Sequence, residues 1–127
     1  MYGRSQWGEY RVLDSGRYPG GNMSLTKELV IEAGKQLSYR RYEHVNEVWT
    51  VVSGEGEAVL DGEVVPVSAG SVVNAPAGIA HACRGISDLR IIEVQQGDSL
   101  TGEDVECLGN FWVLDGVPDS SFVGTEL

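Results

Sequence analysis

Apolar and polar residues alternate with a period of two through short runs of this chain. Glycine or proline interrupts the runs about every 8–12 residues, the pattern of strands buried on one face and joined by tight turns. Residues 22–34 (NMSLTKELVIEAG), 48–54 (VWTVVSG), 70–76 (GSVVNAP), 79–85 (IAHACRG) and 89–95 (LRIIEVQ) each read as a strand. Residues 57–67 (EAVLDGEVVPV) read as a hairpin, because Asp61 and Gly62 suit the two positive-φ positions of a type I′ turn. No helical period is sustained. Residues 100–108 (LTGEDVECL) offer at most one helical turn, with Thr101 as its cap and acids in the first turn where the helix dipole favours them. The pattern predicts an all-β sandwich or barrel without internal repeats or linkers.

Length and charge narrow the partners. The 127 residues suit a single domain spanning 1–127, and 42% hydrophobic with 22% charged residues is the balance of a soluble globular chain. Nineteen acidic against nine basic side chains give a formal net charge of -10, which repels nucleic-acid phosphates and anionic lipid, so neither is an expected partner. The chain has no apolar run long enough to span a bilayer, and its start, MYGRSQWGEY, lacks the apolar core of a signal peptide. A cytoplasmic location is the expectation. Cys83 and Cys107 lack the spacing of a zinc motif or a disulfide framework and read as buried free thiols.

Candidate chemistry lies in two spaced patterns. From Gly34, five residues lead to Arg40, then Tyr42, four more to Glu47 and six more to Gly54. Gly70 is followed after five residues by Pro76, Ala77, Gly78 and, two residues on, His81. The pair resembles the two cupin motifs, in which a glycine precedes His-x-His and Glu, and a second glycine precedes Pro-x-Gly-x-x-His. Side chains two apart on a strand face one side together, and the later histidine enters from a neighbouring strand to complete a divalent-cation site. The resemblance implies a double-stranded β-helix, or jelly-roll barrel, of two antiparallel sheets with Glu47 and His81 facing its interior.

QWGEYRVLD (6–14), GKQLSYRRYEHVNEVWTVVSGEG (34–56), NAPAGIAHAC (74–83) and IIEVQQGDSLTGEDV (91–105) further resemble the C-terminal isomerase domain of type II mannose-6-phosphate isomerases. That domain commonly follows a mannose-1-phosphate guanylyltransferase domain. Carried over position by position, the resemblance puts Arg40 and Tyr42 where the family has glutamine and histidine ligands, and keeps Glu47 and His81. Val45 and Val48 stand where the family has an arginine and a further histidine. The binding set is therefore Arg40, Tyr42, Glu47 and His81, around a degenerate metal site. No cofactor is expected; if the site is occupied, the ion is zinc, manganese or a similar divalent metal on Glu47 and His81, with His44 as a substitute ligand. A histidine placed as His44 is more often an exposed loop residue.

A buried Glu47 without a cation needs another positive partner. An Arg40–Glu47 ion pair is expected, completed by Tyr42 and His81, with Arg41 taking its place if the register slips by one residue. Trp49 and Trp112 read as core fillers. The GDSL of residues 97–100 matches a hydrolase signature only in letters, since both histidines, His44 and His81, lie upstream of its serine. Three readings stand: a cupin that binds a sugar phosphate or similar small polar ligand without turning it over, a working metal-dependent mannose-6-phosphate isomerase, and a ligand-free structural cupin. Cupins often dimerise through strand edges, so a homodimer is expected.

Overall fold

The computed structural model describes residues 1–113. Among them lie eleven strands and no helix: β1 (Tyr2–Ser5), β2 (Gly8–Arg17), β3 (Met23–Ile31), β4 (Arg40–Tyr42), β5 (Val45–Ser53), β6 (Glu55–Leu60), β7 (Glu63–Ser68), β8 (Val72–Ala75), β9 (His81–Gly85), β10 (Leu89–Gly97) and β11 (Val105–Cys107). They form a six-stranded sheet ordered β1-β2-β3-β10-β5-β8 and a five-stranded sheet ordered β11-β4-β9-β6-β7, with antiparallel pairing throughout both. This is the all-β, two-sheet double-stranded β-helix expected from the paired glycine motifs. The six strand and hairpin segments read from the period-two pattern all appear. Four strands were not read: β1 and β2 carry half-exposed, polar faces, and β4 and β11 are only three residues long.

The inward faces obey the alternation. Along β5, Val45, Glu47, Trp49 and Val51 are buried; along β10, Leu89, Ile91, Glu93 and Gln95 are. Trp7, Leu29, Ile31, Leu37, Trp49, Val51, Leu89 and Ile91 make the apolar core, and each large aliphatic side chain so buried contributes about 1.5–3 kcal/mol. Pro66, which cannot donate a ladder hydrogen bond, lies on β7 at the edge of its sheet. Trp49 is a core filler as expected, whereas Trp112 is only half-buried and lies against the Arg84 guanidinium, 5.0 Å from its ring centre.

Residues 100–108 correct an expectation. They form a turn and then β11, which pairs with β4, and no helical turn occurs. Gly102 takes a φ of 81°, incompatible with a right-handed helix, and the Thr101 hydroxyl reaches only the Glu103 N–H at 3.4 Å. Asp104, read as a dipole-favoured acid, instead accepts the backbone N–H groups of Glu43 and His44. That ties the loop to the β4–β5 turn.

Two glycines have measurably different roles. Asp61 and Gly62 adopt φ values of 46° and 85° in the β6–β7 turn, as a type I′ hairpin requires. Gly54 has a φ of 93°, and a Cβ there would sit 2.0 Å from the Asp88 carbonyl oxygen. Gly62→Ala meets no neighbour and is expected to lose about 1–2 kcal/mol from backbone strain. Gly54→Ala adds a backbone clash and is expected to lose about 3 kcal/mol or more. Urea denaturation of both variants checks the order.

Candidate functional site

The two sheets face each other across a polar cluster set into the apolar core. Pairing places its members: Glu47 on β5 stands opposite Gln95 on β10, Trp49 opposite Glu93, and Lys27 on β3 opposite Glu93 from the other side. From the facing sheet, Arg40 on β4 stands opposite His81, the first residue of β9. His81 thus comes from the opposite sheet, not from a strand neighbouring Glu47. Glu47 and His81 are 0% and 1% exposed and meet inside the barrel.

Glu47 is fully engaged by protein. One carboxylate oxygen takes the His81 Nε2 hydrogen bond and the other takes the Gln95 side-chain amide, both short contacts. The same amide nitrogen donates to the Tyr42 hydroxyl at 3.3 Å. His81 Nδ1 lies 2.8 Å from the Ile79 carbonyl, which can only accept. Burial alone would raise the Glu47 pKa, but the hydrogen bond and charge of His81, with Arg40 and Gln95, hold it down at about 2. Each ring nitrogen of His81 thus lies against a protein acceptor, the Ile79 carbonyl at Nδ1 and the Glu47 carboxylate at Nε2.

Arg40 corrects the expected ion pair. It is 4% exposed, turned inward with Tyr42 while Arg41 between them points outward to Glu106 at 2.7 Å, so the register is the one expected. Yet among the described residues its side chain forms no ion pair or hydrogen bond with Glu47. His81 and Gln95 already occupy both carboxylate oxygens. Burial opposes the Arg40 charge, but the fields of Tyr42, Glu47 and Glu93 outweigh it and raise its pKa. Tyr42 is pushed up to about 12, first by burial, and stays a neutral phenol despite Arg40.

Glu93 and Gln95 were missed in the sequence, as was Lys27. Glu93 accepts the Trp49 indole N–H at 2.9 Å and lies 3.9 Å from the Lys27 ammonium. Burial and the nearby Glu47 charge raise its pKa to about 7, against the opposing pull of Lys27, Arg40 and Trp49. The signal was present: Glu93 and Gln95 fall in phase with Leu89 and Ile91 on the buried face of residues 89–95.

Beside the cluster is a cavity of about 130 Å³, lined by Trp7, Lys27, Arg40, Tyr42, Glu93 and Gln95 among others. His44 lies elsewhere. It is exposed in the β4–β5 turn, where its ligating atom groups with those of Glu43 and Asp104 rather than with Glu47 and His81. Of the two thiols, both free, Cys83 is buried as expected and Cys107 is only half-buried.

The donor set fits a divalent cation poorly. A metal-binding histidine must turn a bare ring nitrogen to the ion, and both ring nitrogens of His81 lie against protein oxygens, those of Ile79 and Glu47. Each Glu47 oxygen already accepts a hydrogen bond from protein, and the charged Arg40 stands in the same cluster. The positions that would supply the other two ligands carry this arginine and a neutral phenol.

A two-sheet barrel with inward side chains from β4, β5, β9 and β10 is the site architecture of a cupin. Within that class the relationship is specific: the model of the mannose-6-phosphate isomerase C-terminal family matches residues 3–110, and the chain belongs to that family. The mannose-1-phosphate guanylyltransferase of Escherichia coli (strain K12) is 30% identical over 102 residues, covering 78% of this chain and 20% of that protein. The alginate biosynthesis protein AlgA of Pseudomonas putida is 33% identical over 102 residues, covering 79% and 20%. The chain therefore spans about a fifth of the length of the curated relatives it matches. Among solved structures, a conserved protein with a double-stranded β-helix domain from Klebsiella pneumoniae superposes with a TM-score of 0.58 at 19% identity, over 76% of this chain and 79% of that one. A putative sugar phosphate isomerase from Acidithiobacillus ferrooxidans does so with 0.53 at 22% identity, over 58% and 49%. These likenesses concern the fold.

Proposed function

We propose that this cupin binds a sugar phosphate or a similar small polar ligand in its barrel and does not turn it over. The observation that carries the reading is the state of Glu47, whose two oxygens are held by His81 and Gln95. Aldose–ketose isomerisation of the kind the family's name implies needs a cation to polarise the sugar oxygens and a base to carry a proton between adjacent carbons. Glu47 is paired with His81 and Gln95, and Arg40 and Tyr42 stand at the positions where the resemblance puts two further ligands. The cavity, by contrast, is lined by Arg40, Lys27, Tyr42 and Gln95, groups suited to recognising oxygen-rich molecules.

No mannose-6-phosphate isomerase turnover is expected with added zinc, cobalt or manganese in an assay coupled to fructose 6-phosphate. Robust turnover that disappears in His81→Ala would overturn this reading in favour of a metal-dependent isomerase.

A further inference from the structure

Arg40 is a buried cation whose guanidinium has no hydrogen bond or ion pair among the described residues, and it lines the cavity. The nearby Glu47 and Glu93 offset its charge, but its buried N–H groups have no acceptor among the described residues, and a ligand in the cavity would supply one. Trp7 also lines this space, and its buried indole N–H has no acceptor among the described residues. Lys27 adds another positive charge at the cavity wall, shared with Glu93 at 3.9 Å. The lining thus carries two cations, Arg40 and Lys27, against two acids, Glu93, which lies beside Lys27, and Asp104, whose oxygens accept the backbone N–H groups of Glu43 and His44; among the described residues Arg40 is the cation left without a direct partner.

We infer that the cavity is an oxyanion site, in which the phosphate or carboxylate of a small hydroxylated ligand is held by the Arg40 guanidinium with Lys27 and the Trp7 N–H in support. This rests on the ligand-binding reading above and names the chemistry that the ligand presents. A planar guanidinium meets such a group with two parallel N–H···O bonds, the arrangement that neutral sugar hydroxyls match least well. Gln95 and Tyr42, beside Arg40, take the hydroxylated part. The net charge of -10 disfavours anions at long range, so the affinity comes from these short, desolvated contacts. Because Arg40 stands where the resemblance puts a neutral glutamine, the site is a property of this chain and not of the isomerase motif.

Isothermal titration with mannose 6-phosphate, gluconate and neutral mannose tests it on the full chain, with Arg40→Gln and Lys27→Gln variants compared by circular dichroism. The phosphate and carboxylate probes distinguish the two sources of the oxyanion, and either one is expected to bind tenfold or more tightly than mannose. Arg40→Gln should abolish that preference, losing tenfold or more in affinity for the anion and far less for mannose. Lys27→Gln should weaken it several-fold, which decides the matter should Arg40→Gln not fold. Equal binding of mannose and the anions, or undiminished anion binding in the folded variants, would overturn the inference and leave the ligand-binding reading standing. Binding of no probe would overturn both.

Discussion

Replacing Glu47 by alanine is expected to lower the unfolding free energy by about 3–5 kcal/mol, the largest single effect in the barrel. The carboxylate is the acceptor for two buried donors, His81 Nε2 and the Gln95 amide, and its charge offsets that of Arg40. Its loss strands all of them at once in the barrel interior. Removing both partners of a buried pair can be nearly neutral, whereas removing one leaves the other uncompensated. Glu47→Gln should fall between, since an amide oxygen still accepts from His81 while its NH₂ group faces the NH₂ of Gln95. Urea denaturation at neutral pH measures both variants; a loss below about 1 kcal/mol in Glu47→Ala would mean that the cluster is not a closed network.

Glu93 should give the fold an unusual pH dependence. Its pKa rises from the ordinary 4.5 to about 7, so between these values the folded chain holds a proton that the unfolded chain has released. The contribution is complete below about pH 4.5 and is lost as pH rises through 7. At about 1.4 kcal/mol per pH unit, the loss is on the order of 3 kcal/mol across the window. Glu47 has the opposite sign: depressed to about 2, it stabilises above about pH 4.5 and its contribution is lost as pH falls through 2. Repulsion among the other acids also varies with pH, so the informative quantity is the difference between wild type and Glu93→Gln. The variant keeps an acceptor for Trp49 and cannot ionise. Its stability advantage over wild type should grow steadily from about pH 4.5 to 7 and level off above that, and a constant difference across the window would contradict the burial-driven shift.

How much of this was legible in the sequence depends on whether the signal is local. Glu47 is fixed inward by alternation along β5, and His81 faces the interior as the motif spacing implied, though from the opposite sheet and not from a neighbouring strand. Asp61-Gly62 carries its turn in two residues. The partners of Glu47 were harder to foresee, because they follow from the register between strands: Gln95 stands opposite Glu47 across 47 intervening residues. An arginine was expected to neutralise the carboxylate on charge alone. Geometry gave that task to a histidine and an amide and left the arginine facing the cavity. The residues 100–108 were misread for a related reason. Their acids suit a helix start in isolation, but Gly102 turns the chain the wrong way and Asp104 finds its donors in a turn some 60 residues earlier.

The central claim, that a protein network has taken the place of a cation in this barrel, is tested most directly by metal content. Protein purified without chelators, and again after loading with zinc or manganese and gel filtration, is analysed by inductively coupled plasma mass spectrometry alongside His81→Ala, Glu47→Gln and His44→Ala variants. The last controls for the exposed Glu43, His44 and Asp104 group at the surface. The account predicts far less than one ion per chain, with any residual metal removed by His44→Ala and untouched by the barrel substitutions. One tightly held ion per chain, lost in His81→Ala and Glu47→Gln but kept in His44→Ala, would contradict it.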